Sequence, residues 1–133
     1  MSREIKFRGK IVDNGKWIYG YLRFIYIDTD KASIYDPISV SNYDVLLETV
    51  GQYTGIKDKN EKEIYEGDIV ELTWADKKTS IQYIVKYVED CAYYMLECVA
   101  DEYELDALCG YSQEQFEVIG NRYDNCELLE GDK

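Results

Sequence analysis

Residues Gln52–Val70 read QYTGIKDKNEKEIYEGDIV. Val50 to Tyr53 has the composition of an extended segment, and Asp58-Lys59-Asn60-Glu61 is a polar cluster of turn formers. Lys62 to Tyr65 then returns as a second strand, Glu66-Gly67 bends the chain, and Asp68 to Trp74 alternates. Val70, Leu72 and Trp74 fall on one face of that strand and Glu71 and Thr73 on the other, the period of a half-buried strand. The stretch contains no nucleophile–base pair, no metal-ligand set and no phosphate loop. It specifies folding, and it predicts a chain built from short strands and turns.

The flanking sequence continues this pattern. Ile5 and Phe7 alternate with Lys6 and Arg8, and Asp13-Asn14-Gly15 marks a hairpin turn. Trp17 to Ile27 is the next strand region, with Trp17, Tyr19 and Tyr21 on one face. Gly20 within it signals a bulge or a close backbone approach. Ile34-Tyr35 forms a short strand that Asp36-Pro37 ends, and Asn42–Leu47 has no readable period. Downstream, Asp76-Lys77-Lys78 is a hairpin tip. Ile81, Tyr83, Val85 and Tyr87 share one strand face, and Ala92, Tyr94, Leu96 and Cys98 share another.

Asp101 with Glu104 has capping-box spacing. Leu105 and Leu108 follow at helical spacing and Gly110 supplies a stop, so a short helix is expected near 102–109. Phe116–Asn121 is a last strand, and Glu127–Leu129 a further helical turn or tail. The fold class expected is mainly β, a β-rich α+β domain spanning 1–133. Its N-terminal strand region (1–60) packs with a C-terminal small β-barrel (61–123). The expected core is Phe7, Trp17, Tyr19, Ile69 or Val70, Leu72, Trp74, Val85, Leu96, Phe116 and Ile119.

Composition narrows the chemistry. Hydrophobic residues make up 46% of the 133 residues, enough for a packed core. The 14 tyrosines suit pleated, half-buried surfaces. There is no apolar run of the roughly 18–20 residues a membrane helix needs, and no signal core follows Met1. Histidine is absent, which removes the commonest general base and metal ligand. Cys91, Cys98, Cys109 and Cys126 lack zinc-site spacing and read as free cytosolic thiols.

Catalytic residues, metal ligands and cofactors are accordingly all expected to be none. Glu63, Glu66 and Asp68 are the only carboxylates worth considering for acid–base work. They read better as turn residues bonded to water or to backbone N–H groups. Asp28-Thr29-Asp30 and Asp58-Lys59-Asn60 begin like calcium loops but lack the required Gly and Glu further on.

The charge of −12 is uneven. Residues 1–88 hold 14 acidic and 13 basic groups, net −1, and residues 89–133 hold 13 acidic groups against Arg122 and Lys133, net −11. The acidic third cannot bind phosphate; it reads as a solvated face or as an imitation of DNA offered to a basic protein. Any nucleic-acid contact would use Arg3, Lys6, Arg8 and Lys10. Tyr83, Tyr87, Tyr93 and Tyr94 are the candidate aromatic surface for protein contacts.

The combination of REIKFRG (Arg3–Gly9), Trp17-Ile18-Tyr19-Gly20, QYTGIKDKN (Gln52–Asn60), EIYEGDIV (Glu63–Val70), VIGN (Val118–Asn121) and Glu127-Leu128-Leu129 resembles the YopX family of phages and prophages of Gram-positive bacteria. The pieces occur in the expected order over most of the chain. The resemblance implies a phage product in the host cytoplasm, and it supplies no catalytic residue. It departs at Asn60-Glu61, where the family usually has Asn-Gly. It departs also at Arg122, usually small and apolar, and at Cys126, usually Pro. Asn60, which tolerates positive φ better than Glu61, is expected to take the strained turn position. The function expected is non-enzymatic binding of proteins, with a second copy and a host or phage protein as partners rather than membrane. The alternatives are a nucleic-acid binder using the basic N-terminal strand and a small carboxylate-dependent enzyme.

Overall fold

The computed structural model describes residues 4–74, 79–89, 92–101 and 105–130. The chain divides into two compact units, Met1–Gly55 and Ile56–Lys133. The first holds β1 (Phe7–Lys10), β2 (Trp17–Ile25), β3 (Lys31–Asp36) and β4 (Ser41–Leu46), and β5 (Gly51–Lys57) leads out of it. The strand order is β4-β3-β2-β1-β5, with β6 (Glu63–Tyr65) next to β5. The second unit continues with β7 (Asp68–Thr73), β8 (Ser80–Val88), β9 (Tyr93–Cys98), β10 (Leu105–Ala107), β11 (Phe116–Asn121) and helix α1 (Cys126–Glu130). Its sheet runs β10-β9-β8-β7-β11. Every strand pairing with a determined register is antiparallel.

This is the β-rich α+β architecture the sequence predicts, with three corrections. The second sheet does not close into a barrel: β10 and β11 lie at its opposite ends. The outer edge of β11 is instead occupied by the Asp58 turn, described below. The helix expected near 102–109 is also replaced over the described residues. Leu105–Ala107 pairs with Met95–Glu97, and Leu108–Gly110 is a single 3₁₀ turn. Helical spacing would put Leu105 beside Leu108, but strand geometry sends Leu108 into the core and leaves Leu105 exposed. Residues 102–104, like the hairpin tip at 76–78 and Cys91, lie outside the described residues. Helix forms instead at Cys126–Glu130, where a turn was one of two expectations.

The third correction concerns β2. Its inward face is Ile18, Gly20 and Leu22, with Ile18 and Leu22 packed against the buried Ala32, Ile34 and Val45. Tyr19 is exposed and Trp17 half-buried; elsewhere Phe7 and Trp74, half-buried, pack against the two cores as expected, and Ile119 is half-buried. In a strand the choice of face is binary, so misreading one residue inverts them all. The second core forms as expected around Val70, Leu72, Val85, Leu96 and Phe116, joined by Ile64, Tyr83, Cys98 and Leu108. Trp74 packs against it, edge-on to Tyr111 at 5.6 Å between ring centroids. Cys98 is a buried free thiol, and Cys109 and Cys126 are exposed ones.

Gly20 marks a close approach rather than a bulge. A Cβ at this position would lie 1.9 Å from the Tyr35 carbonyl oxygen. The bulge falls further along, where the β2–β3 register shifts between Leu22 and Phe24.

The turn at residues 58–61 also differs from expectation. The left-handed residue is Glu61, at φ +65°, and not Asn60. The Asp58 carboxylate accepts the N–H groups of Asn60 at 2.8 Å and Lys62 at 2.9 Å. These bonds clamp both neighbours and leave Glu61 to absorb the reversal. Glu61→Gly releases that strain, about 1 kcal/mol, against loss of an exposed hydrogen bond from Gln113 Nε2 to Glu61 Oε1. The variant is expected to raise the thermal unfolding midpoint by roughly 2 °C, measured by circular dichroism. A lower midpoint would show that the Gln113 bond outweighs the backbone strain.

Candidate interaction surface and the buried carboxylates

Two acids of the Gln52–Val70 stretch are buried, which is rare unless the group is paired. Asp58 is 1% exposed. Besides Asn60 and Lys62, its Oδ2 accepts the Val118 N–H of β11 at 2.9 Å. Next to it the Lys59 N–H donates to the Phe116 carbonyl at 2.9 Å. The turn therefore caps the edge of β11, with a carboxylate and an amide doing what a neighbouring strand would do. Desolvation pushes the Asp58 pKa up, but the amides of Val118, Lys62 and Asn60 and the Lys62 charge outweigh it and hold the carboxyl below its ordinary value.

Asp68 is 2% exposed, and its Oδ2 accepts the Tyr65 N–H at 2.7 Å. The turn between them places Gly67 at φ +93°, with the Gly67 N–H on the Val85 carbonyl and the Gly67 carbonyl accepting the Arg122 N–H. Glu63 accepts the Tyr65 hydroxyl at 3.0 Å. Of the three acids considered for catalysis, Asp68 braces the turn through a backbone bond, Glu63 meets the Tyr65 side chain within β6, and Glu66 stands half-buried in the turn itself. Among the described residues no group of three His, Cys, Asp or Glu side chains is arranged to hold a metal.

The basic strand is not a free cationic stripe. Arg8 is 5% exposed, and its guanidinium lies 4.5 Å from the Trp17 ring centroid. Lys10 covers the same ring at 5.5 Å, and Lys6 covers Tyr53 at 5.7 Å and pairs with Glu4 at 3.4 Å. The register explains this: Lys10 stands opposite Trp17 and Arg8 opposite Tyr19, so the cations share a face with the rings of β2. Arg3 lies outside the described residues.

The four tyrosines expected to make one patch are dispersed. Tyr83 is 1% exposed and belongs to the core, a correction that follows from its place opposite Cys98. Tyr87 and Tyr94 are cross-strand partners, edge-to-face at 5.2 Å, at the open end of the same face. Tyr93 is exposed and stands opposite Val88 on the reverse face.

The exposed apolar surface lies elsewhere. Of twelve large hydrophobic side chains exposed among the described residues, seven fall between Tyr19 and Val40: Tyr19, Tyr21, Phe24, Ile25, Ile27, Ile38 and Val40. Tyr21 sits directly opposite Tyr35. Phe24 meets Tyr26 edge-on at 4.8 Å, and the Tyr26 hydroxyl donates to Asp44 at 2.8 Å, a bond that raises the Tyr26 pKa. The signal was present in the Tyr19-x-Tyr21 alternation, once the opposite face of β2 is known to be the buried one.

Charge separates along the same division. The unit Met1–Gly55 carries seven acidic and seven basic residues, net zero; Ile56–Lys133 carries 20 acidic and eight basic, net −12. No helix among the described residues is long and apolar enough to cross a membrane.

These features define a β-rich α+β protein of two open antiparallel sheets, with Asp58 and Asp68 of its signature stretch bonded to backbone amides. Among solved structures it is similar to the crystal structure of protein EF1440 from Enterococcus faecalis, at 22% identity and a TM-score of 0.57, over 96% of this chain and 99% of that one. At that identity the likeness shows the fold alone. A search of curated proteins found no match. The family model described as YopX protein matches residues 6–130, and the chain belongs to the YopX family.

Proposed function

We propose that this chain is a non-enzymatic phage or prophage protein that works in the host cytoplasm by binding proteins, a second copy of itself included. The observation that carries this reading is the concentration of exposed apolar side chains between Tyr19 and Val40, on the unit with no net charge. Exposed apolar side chains mark protein contacts where they lie side by side, and this is the stretch of the described chain where they are densest. The buried carboxylates support it from the other side, because Asp58 and Asp68 are engaged by backbone amides. The stacking of Lys6, Arg8 and Lys10 on the chain's own rings weighs against the nucleic-acid alternative, since phosphate binding needs cations free to displace counterions.

Light scattering on the full chain across the micromolar range tests the self-association. The expected weight-average mass rises above the 15.6 kDa of one chain as concentration increases. A constant 15.6 kDa, with no stoichiometric partner recovered by a tagged chain, overturns the proposal.

A further inference from the structure

The Asp13-Asn14-Gly15 turn between β1 and β2 carries a reactive pair of its own. Of the five asparagines in the chain, Asn14 alone precedes glycine. A side-chain amide and the backbone nitrogen that follows it can close a five-membered imide ring, and a side chain on the following residue obstructs that closure. Here the following residue is Gly15, at φ +70° and with no described atom within 4 Å of where a Cβ would stand. Both residues are exposed, so water reaches them.

In the closed hairpin both reacting groups are engaged elsewhere. The Gly15 N–H donates to the Ile11 carbonyl at 2.8 Å, and the Asn14 Oδ1 accepts the Lys16 N–H at 2.9 Å. The Ile11 N–H donates to the Lys16 carbonyl at 2.9 Å, and Lys10 pairs with Trp17 directly beyond. The Lys16 N–H polarises the Asn14 amide carbonyl, which favours attack on Cγ. The Ile11 carbonyl, however, holds the proton that the Gly15 nitrogen must lose before it can attack. A polarised carbonyl without a nucleophile does not react, so the restraint wins and the reaction waits for the hairpin to open.

We infer that Asn14 is a self-modification site, metered by opening of the β1–β2 hairpin. In the open form the Gly15 nitrogen gives its proton to solvent hydroxide and attacks Asn14 Cγ. The Cγ–Nδ2 bond breaks, and ammonia leaves with a proton returned by water. The imide ring then takes up one water, which opens it at either carbonyl, to aspartate or to isoaspartate. The aspartate product keeps an acceptor for the Lys16 N–H. The isoaspartate product routes the main chain through the former side chain and lengthens it by one methylene. The bonds from Gly15 to Ile11 and from Ile11 to Lys16 then no longer fit one turn. The Lys10–Trp17 pairing, which sets Arg8 and Lys10 against the Trp17 ring, loosens with them. Conversion is one-way: it makes an opened hairpin permanent.

The test follows the full chain by peptide mapping in mildly alkaline buffer, native and in urea, at one pH and temperature. Conversion is expected at Asn14 ahead of Asn42, Asn60, Asn121 and Asn125, and at least about tenfold more slowly in the native chain than in urea. Equal rates in the two states, or no conversion at Asn14 in urea, overturn the inference. The isoaspartate form, isolated by ion exchange, is then compared in thermal unfolding with Asn14→Asp, which adds the same charge without the extra methylene. Its midpoint is expected to lie about 4 °C or more below that of Asn14→Asp. Coincident midpoints overturn the one-way effect on the hairpin.

Discussion

Asp58→Asn is expected to destabilise the protein by about 2–4 kcal/mol, a fall in unfolding midpoint of roughly 10 °C for a chain of this size. The side chains are nearly isosteric, so the loss comes from polarity alone. The carboxylate accepts three backbone N–H groups, from Asn60, Lys62 and Val118, in a site that is 1% exposed. An amide has one acceptor oxygen. If it faces Asn60 and Lys62, its NH₂ meets the Val118 N–H, donor against donor, and the β11 edge loses its cap. Aggregation on heating should increase for the same reason.

The pH dependence has a definite sign. The folded pKa of Asp58 lies below its ordinary value, so its contribution is complete above the unfolded pKa of about 3.9. It disappears as pH falls through the lower folded value. Urea titrations at neutral pH and in the acid range should therefore show the unmodified chain and Asp58→Asn converging as the solution is acidified. A gap that stays constant would assign the effect to packing and not to the carboxylate.

Gly20→Ala is the second large effect, with an expected loss of roughly 3 kcal/mol or more. Nothing near this position can rotate aside. The three nearest atoms to an added Cβ are backbone: the Tyr35 oxygen at 1.9 Å, the Tyr35 carbonyl carbon at 2.9 Å and the Asp36 Cα at 3.2 Å. The methyl group must force β2 and β3 apart, which disturbs the pairing of Tyr21 with Tyr35 and of Leu22 with Ile34. Gly110→Ala is the matched control, because no atom lies within 4 Å of its added Cβ. Chemical denaturation of both variants should find the control within about 0.5 kcal/mol of the unmodified chain. A Gly20→Ala protein of ordinary stability would mean the strands do not approach this closely.

The expectations that held came from local chemistry. Hairpin turns, the alternation of β7 and β8, the last strand at Phe116–Asn121 and the family all rest on short patterns that neighbouring residues specify. Gly20 was readable as either a bulge or a close backbone approach, and the structure decides for the second, with the Tyr35 carbonyl as the group that passes. The misreadings share a different origin. The inward face of β2, the burial of Tyr83, the stacking of Arg8 on Trp17 and the strand at Leu105–Ala107 each depend on what lies across a sheet.

Composition and periodicity alone determined a β-rich chain without histidine, a deep split in charge and a signature segment built for turns. Those properties reside in consecutive residues and survive any arrangement of the strands. Tertiary structure decided that Asp58 serves β11, 60 positions away from Val118, and that the exposed apolar surface lies on β2 and the β3–β4 tip. The reason is geometric: a period of two says that alternate side chains part company, but only pairing and packing say which set meets water.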